Sequence, residues 1–166
     1  MKIFSPGQFS RHLLSIIPAE LTAMREGLKI VAKGIQKTAK SEISHYQKSV
    51  GAFPAWAPLA ESTVSQKESL GYSPPDNPLL RTGEYRDSIE YEVGALEAVI
   101  GSKLQKAAWF EFGTSKMPMR PVIGPAAFRN KKKIQKTLGI AVVSGFYQNG
   151  NRIHESLGYD FETQGE

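Results

Sequence analysis

Prolines divide this chain more sharply than any other residue type. Five of the ten prolines lie in the stretch 50–80, together with two glycines. Because proline fixes φ and lacks a backbone N–H, this stretch excludes a continuous helix or a central strand. Three more prolines lie between 118 and 125 and prevent regular helix up to residue 124. Regular structure is therefore predicted in the blocks on either side of these two stretches.

The block 18–46 has the periodicity of a long amphipathic helix. Its apolar residues recur at steps of three and four, and its basic residues mostly occupy other positions. Pro18 suits the first turn of a helix, so we expect the helix to begin there, with 8–16 as a separate short helix at an angle. At 1.5 Å per residue this helix would extend about 40 Å. Its apolar stripe is formed by Leu21, Met24, Leu28, Val31, Ile35 and Ala39.

The excursion, residues 50–80, is predicted to be a long connection that contains one short helix. Thr63 and Gln66 have the spacing of a capping box, and Gly71 could end a helix that runs from about 64 to 70. Loops of this length in compact domains are usually functional or disordered.

A β-hairpin is predicted in the region 81–124, where DSIEYEVGALEAVIGS alternates apolar and polar residues on both sides of Gly94 and Ala95. Glycine at the first of two loop positions suits a type II′ turn. One face carries the apolar residues toward the long helix, while Glu90 and Glu92 face solvent. The apolar positions are Ile89, Tyr91, Val93, Leu96, Ala98 and Ile100.

The run 107–112 is apolar and aromatic and is interpreted as a further strand that places its aromatic residues in the core. Glu111 is the one charged residue in it. The run 113–116 is typical of a turn, and 117–121 follows as a proline-stiffened edge. Such an edge presents Met119 and Arg120 at low entropic cost, and both residue types are enriched at protein interfaces.

A second long helix is predicted over 125–149, followed by an arm at 150–166. Pro125 suits the first helical position and Asn149-Gly150 a terminator, while Gly139 and Gly145 each weaken the helix by about 1 kcal/mol. The predicted fold class is α+β in a single domain, 1–166. Its long N-terminal amphipathic helix, preceded by the segment 1–17, and its C-terminal helix pack on a small antiparallel sheet, with a long loop and a C-terminal arm.

The composition and the motifs of the chain give little indication of an enzyme. The chain has no cysteine, so disulfides and thiolate metal sites are excluded. Its three histidines lack metal-ligand spacing, and the hairpin glutamates lie on the predicted solvent face. GxSxG, Walker-type and GxGxxG motifs are absent, and no apolar stretch reaches the roughly 18 residues of a membrane helix. We expect no catalytic residues, no metal, no cofactor and no membrane segment.

The densest positive charge lies at the start of the last helix, in a chain whose formal net charge is +5. A basic helical face contacts nucleic-acid phosphates through charge alone, so non-specific contact with DNA is one interpretation. A solvated helix start is the other. The residues concerned are Arg129, Lys131, Lys132 and Lys133.

Four motifs in order, PLLRTGEYRDSI at 78–89, AVIGS at 98–102, AAWFEFGTSKMPMRP at 107–121 and GPAAF at 124–128, resemble the tail-completion or neck protein family of long-tailed bacteriophages, also called minor tail components. The segment around Trp56 to Leu59 and Ser62-Thr63 is similar to the leader of virion morphogenesis proteins related to phage Mu. The resemblance covers about 56–128. Val122 departs from it, since an aromatic residue often follows the Arg-Pro pair.

The resemblance implies a structural subunit that forms or completes a homo-oligomeric ring at the head-tail joint of a virion assembled in the host cytoplasm. Its partners would be portal or head-closure proteins and tail terminator or tail tube proteins. A ring subunit needs two different complementary surfaces, and both the excursion and the C-terminal arm are expected to supply contacts.

Glu111 and Arg120 are expected to lock the 112–116 turn, within a subunit or across the interface. A tail terminator and a basic nucleic-acid-binding module are the alternatives. The candidate interface residues are Trp56, Leu59, Glu111, Gly113, Thr114, Met119, Arg120 and Pro121.

Overall fold

The computed structural model describes residues 6–146, with side chains described for residue 18 and for 20–144. This part of the chain is α+β, with six helices and one two-stranded antiparallel sheet. Outside it lie the predicted arm at 150–166, the Asn149-Gly150 terminator and residues 1–5 of the N-terminal segment. The rest of that segment, 6–17, is described without its side chains. In chain order the elements are α1 Pro6–Glu42, α2 Glu61–Ser69, α3 Glu84–Asp87, β1 Glu90–Val93, β2 Ala98–Gly101, α4 Gln105–Phe112, α5 Ile123–Arg129 and α6 Lys131–Phe146.

The first helix is longer and starts earlier than predicted. It continues through Pro18 as one helix, so the expected start at this residue, with a separate helix over 8–16, is wrong. The Thr22 hydroxyl donates to the Pro18 carbonyl oxygen at 2.9 Å, a local bond within the uninterrupted helix. The helix ends at Glu42, before the predicted 46, because Ser44 adopts a left-handed φ of 88° and donates its N–H to the Pro78 carbonyl at 3.0 Å.

The predicted hairpin is confirmed as an antiparallel pair, with Tyr91 opposite Ile100 and Val93 opposite Ala98. Its tip differs from the prediction. The strands are joined by four residues, 94–97, and Gly94 does not have the positive φ of a type II′ turn. Leu96 therefore lies in the loop, 67% exposed, rather than in a strand.

The excursion contains the expected short helix, but its start is different. The N-cap of α2 is Ala60, without a side-chain hydrogen bond, so the predicted capping box at Thr63 is wrong. Gly71 does terminate the helix. At φ 76° it donates its N–H to the Glu68 carbonyl, and Tyr72 donates to the Lys67 carbonyl, which is the bonding pattern of a Schellman motif.

The aromatic run 107–112 is helical, not extended. It forms most of α4, so the predicted third strand is wrong. A six-residue apolar run does not distinguish a buried strand from a helix by periodicity, and here Ala107 is the buried residue of the helix while most of its neighbours are not.

The predicted C-terminal helix is divided into α5 and α6 at Asn130. The Asn130 amide nitrogen donates to the Ala126 carbonyl at 2.8 Å and to the Thr38 hydroxyl of α1 at 2.8 Å. Pro125 lies in the first turn of α5, which begins at Ile123, two residues before the predicted start. The junction is thus fixed by a polar side chain that also connects it to α1.

The core forms around α1, which packs against the hairpin and against α5 and α6. On the hairpin side the Gln36 amide donates to the Ile89 carbonyl at 2.7 Å. On the other side Gly27 lies so close to α6 that an added Cβ would be 2.8 Å from the Ala141 Cβ. The last helix therefore packs chiefly on α1 rather than on the sheet as predicted. Buried core residues include Val31, Ile35, Ala39, Ile43, Trp56, Tyr85, Ile89, Val122 and Ala126.

Candidate functional site

The interface candidates predicted around Arg120 lie in one region, where the end of α4, the turn after it and the excursion meet. The Arg120 side chain is only 4% exposed. Its guanidinium donates to the Ala57 carbonyl at 3.0 and 3.2 Å and to the Pro58 carbonyl at 2.9 Å. Burial lowers the pKa of this guanidinium. Arg120 thus faces its own chain, and the prediction that it projects from an exposed edge is wrong.

Glu111, the one acidic residue in the apolar run 107–112, accepts two structural hydrogen bonds. Its Oε1 accepts the backbone N–H groups of Val122 and Ile123, both at 2.9 Å. These are donors at the start of α5, which would otherwise have no partner within the helix. Glu111 therefore fixes α4 to α5. The sequence had suggested instead that it locks the 112–116 turn.

Trp56 joins the excursion to the same segment. It is buried, and its indole N–H donates to the Pro121 carbonyl at 3.1 Å. Pro121 and Val122 are buried beside it, and Val122 is a fully buried core residue. The residue that follows the Arg-Pro pair thus packs in the core. Because Trp56 packs in its own core, much of the excursion folds back on the domain rather than projecting from it.

A tight turn follows α4 and depends on Gly113. This residue has φ 74° and ψ −178°, a region essentially confined to glycine. An added Cβ would be 2.9 Å from the Met119 nitrogen and 3.0 Å from the Met117 carbonyl oxygen. The Thr114 N–H donates to the Met117 carbonyl at 2.8 Å, and its hydroxyl accepts the Lys116 N–H at 3.2 Å. The predicted turn after the aromatic run is confirmed.

This framework carries three exposed apolar side chains, which we call the aromatic patch: Trp109, Phe112 and Met119. Their exposed fractions are 48%, 83% and 46%. Trp109 and Phe112 share one side of α4 at a three-residue spacing, and the Met119 backbone packs against Gly113 next to Phe112. The prediction that the aromatic run is core holds only in part, for Phe110, which is half-buried and packs edge-on against Tyr85 with a centroid distance of 4.9 Å.

Leu59 lies at the border of this region. It is half-buried, and its N–H donates to the Tyr46 hydroxyl at 3.0 Å. The same hydroxyl donates to Asp76, and the pKa of Tyr46 is raised by burial and by this bond to a carboxylate. Sequence reasoning did not find Tyr46, whose partners are 13 and 30 residues away.

The predicted DNA-facing residues lie elsewhere, at the junction of α5 and α6 beside the end of α1. Lys131, Lys132 and Lys133 are exposed there. Arg129 differs from them because its guanidinium pairs with Glu42, a carboxylate of α1 that is only 5% exposed. Arg129 therefore forms an ion pair within its own chain, and its assignment to the DNA-facing group stays a prediction.

Glu42 and Tyr85 are two buried residues with polar side chains whose burial the sequence did not reveal. Burial raises the pKa of the Glu42 carboxyl, and Arg129 opposes the shift only in part. Burial also raises the pKa of Tyr85, with Glu111 adding to the effect. The spacing of Glu42 and Arg129, 87 residues apart in sequence, gives no signal for this contact.

Within residues 6–146 we find no group of three or more His, Asp or Glu side chains placed to bind a metal ion. In the same part of the chain no helix is both long and apolar enough to cross a membrane. Comparisons of the whole chain with protein-family models, with curated proteins and with solved structures give no match.

Proposed function

We propose that this protein is a structural subunit of a phage neck or tail, a tail-completion protein that forms or completes a ring at the head-tail joint. The observation that carries the proposal is the aromatic patch, which lies within the motif segment 107–121 that resembles the family. Phe112 exposes most of its ring, although aromatic side chains are usually buried. Phe112 shares one side of α4 with the exposed Trp109, and neighbouring exposed apolar side chains are typical of a protein contact.

The support beneath the patch favours a recognition role. Arg120, Glu111 and Gly113 fix the end of α4 by hydrogen bonds and a backbone conformation specific to glycine. A rigid surface loses little conformational entropy when a partner binds, so its apolar contacts contribute more to affinity. We therefore assign the patch as one of the two complementary surfaces that a closed ring requires.

A second candidate function, non-specific contact with DNA, is favoured by the exposed lysines 131–133. A ring subunit at the joint would lie beside the passing genome, and three neighbouring ammonium groups would contact phosphates without reading sequence. The test is binding of duplex DNA by the wild type and by the triple variant Lys131→Gln, Lys132→Gln, Lys133→Gln. Wild-type binding that weakens with salt and is lost in the triple variant would support this contact. Binding that is unaffected by the triple variant would exclude these lysines.

Complementation of a phage that lacks this protein tests the main proposal. With the wild-type chain, infectious particles are expected to carry density for the protein at the head-tail joint. With Phe112→Asp we expect full heads and tails that remain unjoined. Leu96→Asp introduces the same charge at an exposed apolar residue of the hairpin tip and should complement normally. Mature particles that lack the protein would contradict the proposal. Density retained on the tip of headless tails would favour the tail terminator instead.

A further inference from the structure

An apolar groove between α1 and α6 forms a surface separate from the aromatic patch. Its volume is about 600 Å³, and its lining is mainly apolar. Ile30 is 53% exposed at its edge. The two helices run antiparallel, since Gly27 faces Ala141 while Thr38 contacts Asn130. The lining residues that matter here are Ala23, Gly27, Ile30, Ile140 and Ala141.

The edges of the groove are positively charged. Lys133 and Lys136 line it from α6, against a single acidic residue, Glu26 of α1. Lys33 and Lys37 follow Ile30 at three and seven residues, which places them on the same side of α1. An occupant of complementary chemistry would carry several apolar side chains and a negative charge.

The C-terminal segment 151–166 has this chemistry. It contains four acidic residues and one arginine, so its formal charge is −3 from 1 − 4. Leu157, Tyr159 and Phe161 alternate with Gly158, Asp160 and Glu162. In extended conformation such a sequence would direct its apolar side chains to one side and its carboxylates to the other.

The length of the chain allows this segment to reach the groove of its own subunit. The groove follows α6 from Lys133 to Ser144, 11 residues or about 16 Å at 1.5 Å per residue. About five extended residues span that distance. After Phe146 the chain has 20 residues (166 − 146), and it leaves α6 at the end of the groove marked by Ser144.

We propose that the groove between α1 and α6 is the docking site of the chain's own acidic C-terminal segment, 151–166. Tethering favours this occupant over the same segment of another copy, because a short linker supplies an effective concentration on the order of millimolar. Docking would cover the apolar lining of the groove in a free subunit. It would also place carboxylates beside the lysines that flank the groove.

Disulfide trapping in the full-length protein tests the proposal, because the natural chain has no cysteine. Ile30→Cys is combined with Leu157→Cys, and Val99→Cys with Leu157→Cys is the control, since Val99 is 62% exposed on β2 and does not line the groove. At low protein concentration we expect an intramolecular disulfide in the first pair to form at least about tenfold faster than in the control. Equal rates would overturn the proposal.

Two further outcomes are decisive. A disulfide-linked dimer from the first pair would show that the segment of another copy occupies the groove, which contradicts docking within one subunit. Lys133→Glu is expected to slow intramolecular trapping severalfold, whereas Lys132→Glu, at a neighbouring exposed position outside the groove lining, should leave the rate unchanged. Unchanged trapping in Lys133→Glu would remove charge complementarity from the proposal and overturn it as stated.

Discussion

The aromatic patch and the α1–α6 groove are both exposed apolar surfaces, but they are supported in different ways. The patch depends on polar contacts between distant parts of the chain, such as those of Arg120 with carbonyls 62 and 63 residues away. The groove depends on the close approach of two helices at Gly27 and Ala141. The geometry of the patch should therefore be sensitive to the loss of single hydrogen-bonding groups, and that of the groove to side-chain volume.

The largest effect is expected for Arg120→Met, which removes the guanidinium and leaves the Ala57 and Pro58 carbonyls without their donors. Hydrogen bonds to charged groups contribute about 1.5–3 kcal/mol each and are not additive, so we expect a loss of about 3 kcal/mol in the free energy of unfolding. Urea denaturation measures it. The control Lys132→Met changes an exposed residue and should stay within about 0.5 kcal/mol of wild type. A similar small change in Arg120→Met would refute the polar support of the patch.

Gly113→Ala should have the next largest effect. Alanine at φ 74° with a Cβ 2.9 Å from a backbone nitrogen strains the turn, and such conformations cost about 1–3 kcal/mol. Gly139→Ala is the matched control, because a Cβ at that helical position meets nothing within 4 Å and should stabilise the protein by up to about 1 kcal/mol. Thermal unfolding of the two variants should shift in opposite directions. Equal shifts would argue against the turn as described.

A smaller effect is expected for Gly27→Ala at the crossing of α1 and α6. Overpacking costs about 1–3 kcal/mol, and the higher helix propensity of alanine offsets about 1 kcal/mol of it. We expect a net loss of about 1 kcal/mol that Ala141→Gly partly restores in the double variant. A double-mutant cycle by urea denaturation measures this coupling. Purely additive effects would mean that the two helices do not touch at this point.

The smallest effect concerns pH and the buried Glu42 carboxyl. Its folded pKa is raised above the ordinary 4.5, so the folded protein binds this proton more tightly than the unfolded chain does. The resulting stability is present at low pH and is lost as pH rises from about 4.5 through the folded pKa. The melting temperature of wild type relative to Glu42→Gln should therefore fall between pH 4 and pH 7. A relative rise over that interval would reverse the sign of the shift.

The parts of the fold that follow from periodicity could be predicted from the sequence. The amphipathic helix α1, the hairpin and the glycine that ends α2 depend on local patterns, and each is present. The predicted stripe of α1 is buried at Val31, Ile35 and Ala39, whereas Leu21 is 42% exposed. The strand assigned to 107–112 was wrong because a short apolar run is compatible with both helix and strand. The exposure of Trp109 and Phe112 was missed for a related reason, since aromatic residues are usually buried and sequence alone does not reveal exceptions.

The residues of the candidate site are close together in the sequence, but their structural roles could not be predicted from it. The motif segment correctly brought Glu111, Gly113 and Arg120 into one region. Their roles depend on carbonyl and N–H groups that tertiary folding brings near, and a backbone group carries no signal in the sequence. Arg120 therefore looked like a surface contact, although it is a buried support. The contact between Glu42 and Arg129 was also missed, because only tertiary folding brings these two side chains together.

The oligomeric state of the purified protein tests the central claim most directly. Sedimentation velocity should show wild type as a closed oligomer of one defined mass, and Leu96→Asp as the same species. Phe112→Asp should give a folded monomer, with the circular dichroism and melting temperature of wild type, because the substituted ring is 83% exposed in the subunit. A wild-type chain that stays monomeric at its highest soluble concentration, or a Phe112→Asp oligomer of wild-type mass, would contradict assembly through the aromatic patch.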